Sequence, residues 1–206
     1  MLESSRDYAK QSTQGFIGVS ERVAIRLIKK DDFPCLRRIW ADELVMRHMT
    51  SGALSEQQAL EKFGNMIRPN VHLRRSYPLT ILQREGREPI GTYSIDFERH
   101  SGVYTHSMVI DRSRWNTGLA TEAYRLLLTF AFSGHKINRV WTACDIENDS
   151  AKRMLARVGL SKVGTIAEYA PRGDGWVDCD IYSLVARSWN IKMAERQDNN
   201  AFQIYP

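Results

Sequence analysis

Between Asp111 and Phe132 the chain reads DRSRWNTGLATEAYRLLLTFAF, passing from a β-type run through a short polar loop into an apolar helix. The run before it, Val103 to Ile110, is rich in β-branched and aromatic residues, as strands are. Beyond the loop, Leu119, Ala123, Leu126, Leu127 and Phe130 recur at spacings of three and four, which places them on one helix face. A strand, a tight loop and a buried helix in this order predict a crossover unit lying on a sheet. The loop itself, Trp115 Asn116 Thr117 Gly118 Leu119 Ala120 Thr121, has a chemical consequence. Gly118 lets the backbone approach a ligand closely, and the first free N–H groups of the helix point outward at the positive end of its dipole. With Arg112 and Arg114 close by, the junction reads as a seat for a pyrophosphate. A glycine at a helix start is also ordinary turn chemistry, so the loop alone leaves both readings open.

The rest of the chain supplies the sheet. Arg22 to Leu27 alternates as a first strand, and Asp31 or Asp32 is placed to cap a helix reaching about Arg47, with Pro34 in its first turn and Phe33, Leu36, Trp40 and Leu44 facing inward. Ser55, with glutamate and glutamine following, begins a second helix that Pro69 ends. Tyr77 to Gln83, Pro89 to Glu98 and Val103 to Ile110 form an antiparallel meander. After the central helix come a strand at Arg139 to Asp145, a helix from Asn148 to Val158 stopped by Gly159, and two strands, Lys162 to Tyr169 and Trp176 to Ala186, around a loop at 170–175. Residues 1–20 read as a flexible leader, 21–189 as one domain and 190–206 as a polar tail.

Composition narrows the function. At 206 residues and 43% hydrophobic content the chain can bury one sizeable core. Its net charge of +5 suits an acidic ligand, but the basic residues are scattered, so nucleic acid is not an expected partner. Cys35, Cys144 and Cys179 are odd in number and widely spaced, which points to a reduced, cytoplasmic protein without a disulfide framework. The five histidines show no HxxxH or HExxH spacing, so no metal is expected. The longest apolar run, Leu126 to Phe132, is far short of the roughly 20 residues that cross a bilayer, and no membrane partner is expected.

The loop resembles the acetyl-CoA signature Q/RxxGxG/A of GNAT N-acetyltransferases, with Gly118 and Ala120 on its two small positions. More closely it is similar to the yWGkGyatEA form of the RimJ/RimL-type branch, matched by Trp115, Gly118, Ala120, Thr121, Glu122 and Ala123. Asn116 stands where that form commonly has glycine. Asn148, Gly159 and Leu160 sit like the family's Nxx(S/A)xxxxxKxGF, and Trp176, Asp178 and Tyr182 like its WxDxxxY ending. The resemblance covers about Arg22 to Trp189. It implies an α/β (α+β) GNAT fold, a central mixed but mostly antiparallel twisted sheet with helices on both faces, and transfer of an acetyl group from acetyl-CoA to a primary amine. Such an acceptor is an amine-bearing small molecule or a protein N-terminus, and a homodimer is compatible with the family.

By the same resemblance the cofactor is held by Trp115, Asn116, Thr117, Gly118, Leu119, Ala120 and Thr121, by Asn148, and by backbone N–H groups of Met108, Val109 and Ile110 where the central strand splays from its neighbour. Asn148 serves equally well as a plain helix cap. The family's usual basic glutamate aligns with Thr105, which cannot serve, leaving adjacent His106 as candidate base or as an ordinary strand residue. The usual acid positions carry Ala151 and Leu155, so Ser150 becomes the nearby candidate acid. Asp178 and Asp180 alternate onto one face of the last strand and either hold a cationic amine or form a solvated face. Segments 42–53 and 169–176 are expected to shape acceptor choice. A GNAT-fold module that binds CoA without catalysis is the alternative, motivated by Thr105, Ala151 and Leu155.

Overall fold

The computed structural model of the protein describes residues 16–68, 76–97, 102–195 and 203–204. The first strands are β1 (Phe16–Val19) and β2 (Val23–Leu27), followed by the helices α1 (Phe33–Ala41), α2 (Glu43–Met46) and α3 (Glu56–Met66). The meander is β3 (Ser76–Gln83), β4 (Pro89–Phe97) and β5 (Gly102–Ile110). Then come α4 (Leu119–Thr129), β6 (Arg139–Asp145), α5 (Asp149–Val158), the hairpin β7 (Ser161–Arg172) and β8 (Gly175–Val185), α6 (Ala186–Glu195) and β9 (Gln203–Ile204). Among the described residues nine strands form one sheet in the order β7-β8-β6-β5-β4-β3-β2-β1-β9. All pairings are antiparallel except β5 with β6, which the α4 crossover makes parallel.

Two apolar clusters lie on opposite faces of this sheet. One joins α4 (Leu119, Ala123, Leu126, Leu127) to Val23, Ile25, Ile81, Tyr93 and Val103, and the other joins α1 and α3 (Leu36, Trp40, Ala59, Phe63) to Met46 and Val109. The expected α/β architecture with helices on both faces is therefore what forms.

Four expectations differ from the structure. The helix drawn from Asp31 to Arg47 breaks at Asp42, whose backbone is extended and whose carboxylate accepts the N–H groups of Leu44 and Val45, so a new short helix starts there. Leu44, expected on the inner face, is consequently 46% exposed. Part of the expected leader, Phe16–Val19, is a strand, because its backbone groups find partners in β2 and β9; residues 1–15 lie outside the described residues. The expected tail contains the rest of α6 and the two residues of β9, which pair with β1. The loop expected at 170–175 contracts to a turn at Gly173 and Asp174, because β7 runs on to Arg172.

One polar cluster fastens α1 to the sheet. Buried Asp32 takes two hydrogen bonds from the Arg26 guanidinium (2.7 and 2.6 Å), one from the Lys29 N–H (2.8 Å) and one from the Thr80 hydroxyl (2.7 Å). Burial pushes the carboxyl's pKa up, but these partners outweigh it and hold the group below the usual carboxylate range.

Candidate active site

β5 and β6 are neighbours only at their starts. Their last paired residues are Tyr104 and Trp141, after which the strands part. At the point of parting, side chains stand in for the ladder: the Thr142 hydroxyl donates to the Thr105 carbonyl (2.7 Å) and the Thr105 hydroxyl reaches the Trp141 carbonyl (3.4 Å). The same Thr105 hydroxyl is 2.9 Å from the Tyr124 hydroxyl of α4. Burial pushes the Tyr124 phenol up to about 12, so it stays a neutral partner. Thr105 is thus fully committed to holding α4 over the parting strands.

Beyond the parting, β5 changes phase. Ser107 has a left-handed backbone (φ 58°), and the β4–β5 register shifts beside it. Val103 and Met108 both turn toward the α4 cluster, although strict alternation would put them on opposite faces, so one extra residue has been accommodated. Val109 packs instead among α1, α2 and α3. The side chains of Val109 and Ile110 are buried, which leaves the backbone as the chemistry that Met108, Val109 and Ile110 can offer. His106 lies opposite Ser94 in β5, and its side chain is outside the described residues.

The loop after β5 is tied down residue by residue. The Trp115 indole donates to the Ile110 carbonyl (3.0 Å), and the Thr117 hydroxyl donates to the Arg114 carbonyl (2.6 Å). Asn116 (φ 60°) and Gly118 (φ 84°) both adopt left-handed backbones, and Gly118 is the N-cap of α4. Asparagine tolerates that region better than most residues, which explains how it replaces the glycine of the resembled motif. Asn116→Gly is accordingly expected to leave acetyl-CoA affinity intact or raise it, and calorimetry checks this.

Glu122, in the first turn of α4, accepts from the Ser20 hydroxyl (2.7 Å), the Arg22 N–H (2.9 Å) and the Arg22 guanidinium (2.8 Å), while the guanidinium also donates to the Thr117 carbonyl (2.9 Å). Burial raises the carboxyl's pKa, but these bonds outweigh it and keep Glu122 ionised. Its charge is spent on Arg22, so the helix start remains electropositive. Arg112 and Arg114, read as added charge, pair with Asp42 (3.3 Å) and Glu88 (3.2 Å).

Across the parting, Asn148 caps α5 by accepting the Ala151 N–H (3.0 Å), and Ser150 is exposed in the first turn. Asp178 accepts the N–H of Glu168 (2.9 Å), a β7 residue with a left-handed backbone (φ 50°) inside a register shift. Asp180 is buried and engaged by Thr165 (2.7 Å) and Lys162 (2.6 Å). Both carboxylates therefore fasten β7 to β8. Asp178→Ala is expected to lower stability by about 1–2 kcal/mol with acetyl-CoA affinity unchanged, measured by urea unfolding and calorimetry.

Sequence spacing missed one cluster. Buried Asp145, the last residue of β6, binds the His48 Nδ1 (2.7 Å), the Arg172 guanidinium and the Glu147 N–H (2.9 Å), and Arg172 also reaches Glu147 (3.0 Å). Burial raises the pKa of Asp145, and these partners outweigh it to hold the carboxyl below its ordinary range. His48 follows α2 and Arg172 ends β7, so the two segments expected to shape acceptor choice meet on Asp145. The signal available in the sequence was those segment boundaries, not any residue spacing.

Comparison with known proteins identifies this arrangement. Residues 22–161 match the family model described as an acetyltransferase (GNAT) domain. The chain is 24% identical over 173 residues to the uncharacterized N-acetyltransferase YnaD of Bacillus subtilis (strain 168), covering 83% of this chain and 98% of that protein. It is similar in fold to a GNAT-family acetyltransferase from Bacillus anthracis (TM-score 0.72, 21% identity, 84% of this chain and 99% of the other). It is also similar in fold to spermidine N-acetyltransferase from Vibrio cholerae in complex with CoA and spermine (TM-score 0.69, 13% identity, 82% and 98%). With the family model spanning most of the chain, the glycine-capped helix start and the parted strands have a common explanation: this protein belongs to the GNAT acetyltransferase family.

Proposed function

We propose that the protein is an N-acetyltransferase of the RimJ/RimL-type branch that moves an acetyl group from acetyl-CoA directly to a primary amine in a ternary complex. The observation that carries this reading is the parting of β5 from β6 beyond Tyr104 and Trp141, with the Gly118-capped start of α4 beside it. The residues present suit the cofactor. The open, electropositive helix start at Leu119, Ala120 and Thr121 matches a pyrophosphate, and the side of β5 that faces away from β4 along Met108, Val109 and Ile110 offers backbone N–H groups to an extended amide-bearing arm. Trp115, Asn116, Thr117 and Gly118 shape that seat, and Asn148 borders it from α5. When bound, acetyl-CoA supplies an acyl carbon activated as a thioester.

The chain's own residues then have three tasks. Backbone N–H groups of β5 polarise the acyl oxygen, the walls of the parting exclude water, and a base receives the proton that the amine must lose. His106 remains a candidate for that base, and Ser150 for protonating the departing thiolate. Acceptors of the kind named for the Vibrio cholerae neighbour, a polyamine, and protein N-termini share the primary amine that this chemistry requires. A cytoplasmic setting, where acetyl-CoA is made and used, fits the three free cysteines.

A second reading rests on Thr105, whose hydroxyl is bonded to Tyr124 where the family commonly has a glutamate: the fold binds CoA without catalysing. Thiol release from acetyl-CoA over a panel containing spermidine, amino acids and peptides with free N-termini separates the two. The proposal expects amine-dependent release. Binding of acetyl-CoA with no release by any amine would favour the non-catalytic module.

A further inference from the structure

The His48–Asp145 pair stands at the end of β6, beyond the point where β5 and β6 part. β5 and β6 run parallel, and four residues beyond their last pair they have reached Met108 and Asp145, one on each side of the parting. His48 lies two residues beyond Met46, which packs against Val109 of β5. The pair therefore bridges from the α2 side of β5 to the end of β6. Both members are sheltered, with side chains 15% and 4% exposed.

The hydrogen bonds fix the imidazole's protonation. Arg47 Nε donates to His48 Nε2 (2.9 Å), and a guanidinium has no acceptor, so Nε2 carries a lone pair. The ring's hydrogen is then on Nδ1 and is donated to Asp145 (2.7 Å). This is the arrangement of a carboxylate-oriented base. Arg172 holds the carboxylate from β7 and Glu147 balances Arg172, so Asp145 does not have to turn away from His48. Arg47 is exposed, and an arriving amine replaces its single hydrogen bond at little cost. Among the described side chains, the carboxylates that compete for this role are committed, Asp178 to the Glu168 N–H, Asp180 to Lys162, and Glu122 to Arg22, while the other candidate base, His106, has its side chain outside the described residues.

We infer that the His48–Asp145 pair is the acceptor-side base of this protein, a role resting on the N-acetyltransferase reading above. As the acceptor nitrogen bonds to the acetyl carbon and the carbon–sulfur bond breaks, the proton displaced from nitrogen goes to His48 Nε2. The sulfur leaves with the bonding electron pair as the CoA thiolate, and the Asp145 carboxylate balances the imidazolium that forms. Among the described residues, Arg47 and Asp145 are the charged groups that bond the ring, Arg172 and Glu147 stand behind Asp145, and only Arg47 has to move.

His48→Asn tests this in the full-length protein, because its amide can still donate toward Asp145 but cannot take a proton. With spermidine and an alanine-initiated peptide as acceptors, kcat/KM is expected to fall about 10²-fold while acetyl-CoA affinity and Tm stay at wild-type values. The ¹⁵N shifts of His48 in the free wild-type protein are expected to show hydrogen on Nδ1 and none on Nε2. A His48→Asn protein as fast as wild type, a lowered Tm with unaltered kinetics per folded molecule, or an Nε2–H tautomer each overturns the pair's role and leaves the N-acetyltransferase reading standing. A wild type that binds acetyl-CoA but turns over no amine of the panel overturns both.

Discussion

Gly118→Glu is expected to weaken acetyl-CoA binding by about 10³-fold or more, because opposing a carboxylate to a diphosphate costs several kcal/mol. Two physical terms combine at this residue. Its backbone lies in the left-handed region (φ 84°), where a side chain is strained, and a Cβ there would meet the Arg22 guanidinium at 3.3 Å. Gly118→Ala carries the strain without the charge and is expected to fall between the two, so the pair of variants separates backbone from electrostatics. The fold should survive both, since Gly118 is exposed and the α4 core begins one residue later at Leu119. Calorimetry gives the affinities, and circular dichroism verifies folding. Wild-type affinity in Gly118→Glu would remove the phosphates from the start of α4.

Asp32→Ala should produce the largest loss of stability, about 3–5 kcal/mol, because it strands the Arg26 guanidinium, only 11% exposed, without its carboxylate. For a chain of this size that corresponds to a Tm drop of roughly 10 °C. The same group sets an acid limit. Its folded pKa lies below the ordinary 3.8, so its stabilisation is complete above the unfolded value and is lost as pH falls through the folded one. The difference between wild type and Asp32→Ala in urea unfolding is therefore expected to be full at neutral pH and to shrink below about pH 4. A constant difference across that range would mean that the loss comes from packing alone.

What could be read from the sequence follows from how local each cause is. The apolar stripe of α4 and the Ser55–Gln58 capping box are written in spacings of three and four, and both form as expected. The break at Asp42 was not legible, because an aspartate inside an apolar pattern looks like a surface residue until its carboxylate takes two backbone N–H groups. β1 was missed for another reason: four residues carry little pattern, and their pairing comes from β2 and from β9, far away in the chain. The change of phase at Ser107 carries no glycine to announce it. Most hidden was the convergence on Asp145, since His48 is 97 residues away and Arg172 is 27 away on the other side. A titratable cluster assembled by three separate elements leaves no spacing to detect.

The loop that resembles the GNAT signature is the proposed cofactor seat, and the departures from that signature fall on the acceptor side. Thr105 stands where the resembled family commonly has a glutamate, and its hydroxyl fastens α4, whereas Asp145 ends the other strand of the same parting and binds His48. Substituting one without the other changes different quantities. Thr105→Val leaves Tyr124 without its buried partner and is a matter of stability, whereas His48→Asn concerns rate.

Intact-mass spectrometry of the protein mixed with acetyl-CoA and its best amine tests direct transfer most plainly. The account predicts an amine heavier by one acetyl group, formed only when both substrates are present, with the protein's own mass unchanged at every time point. A protein that becomes acetylated before the amine is added, or an amine that is never acetylated, would contradict it.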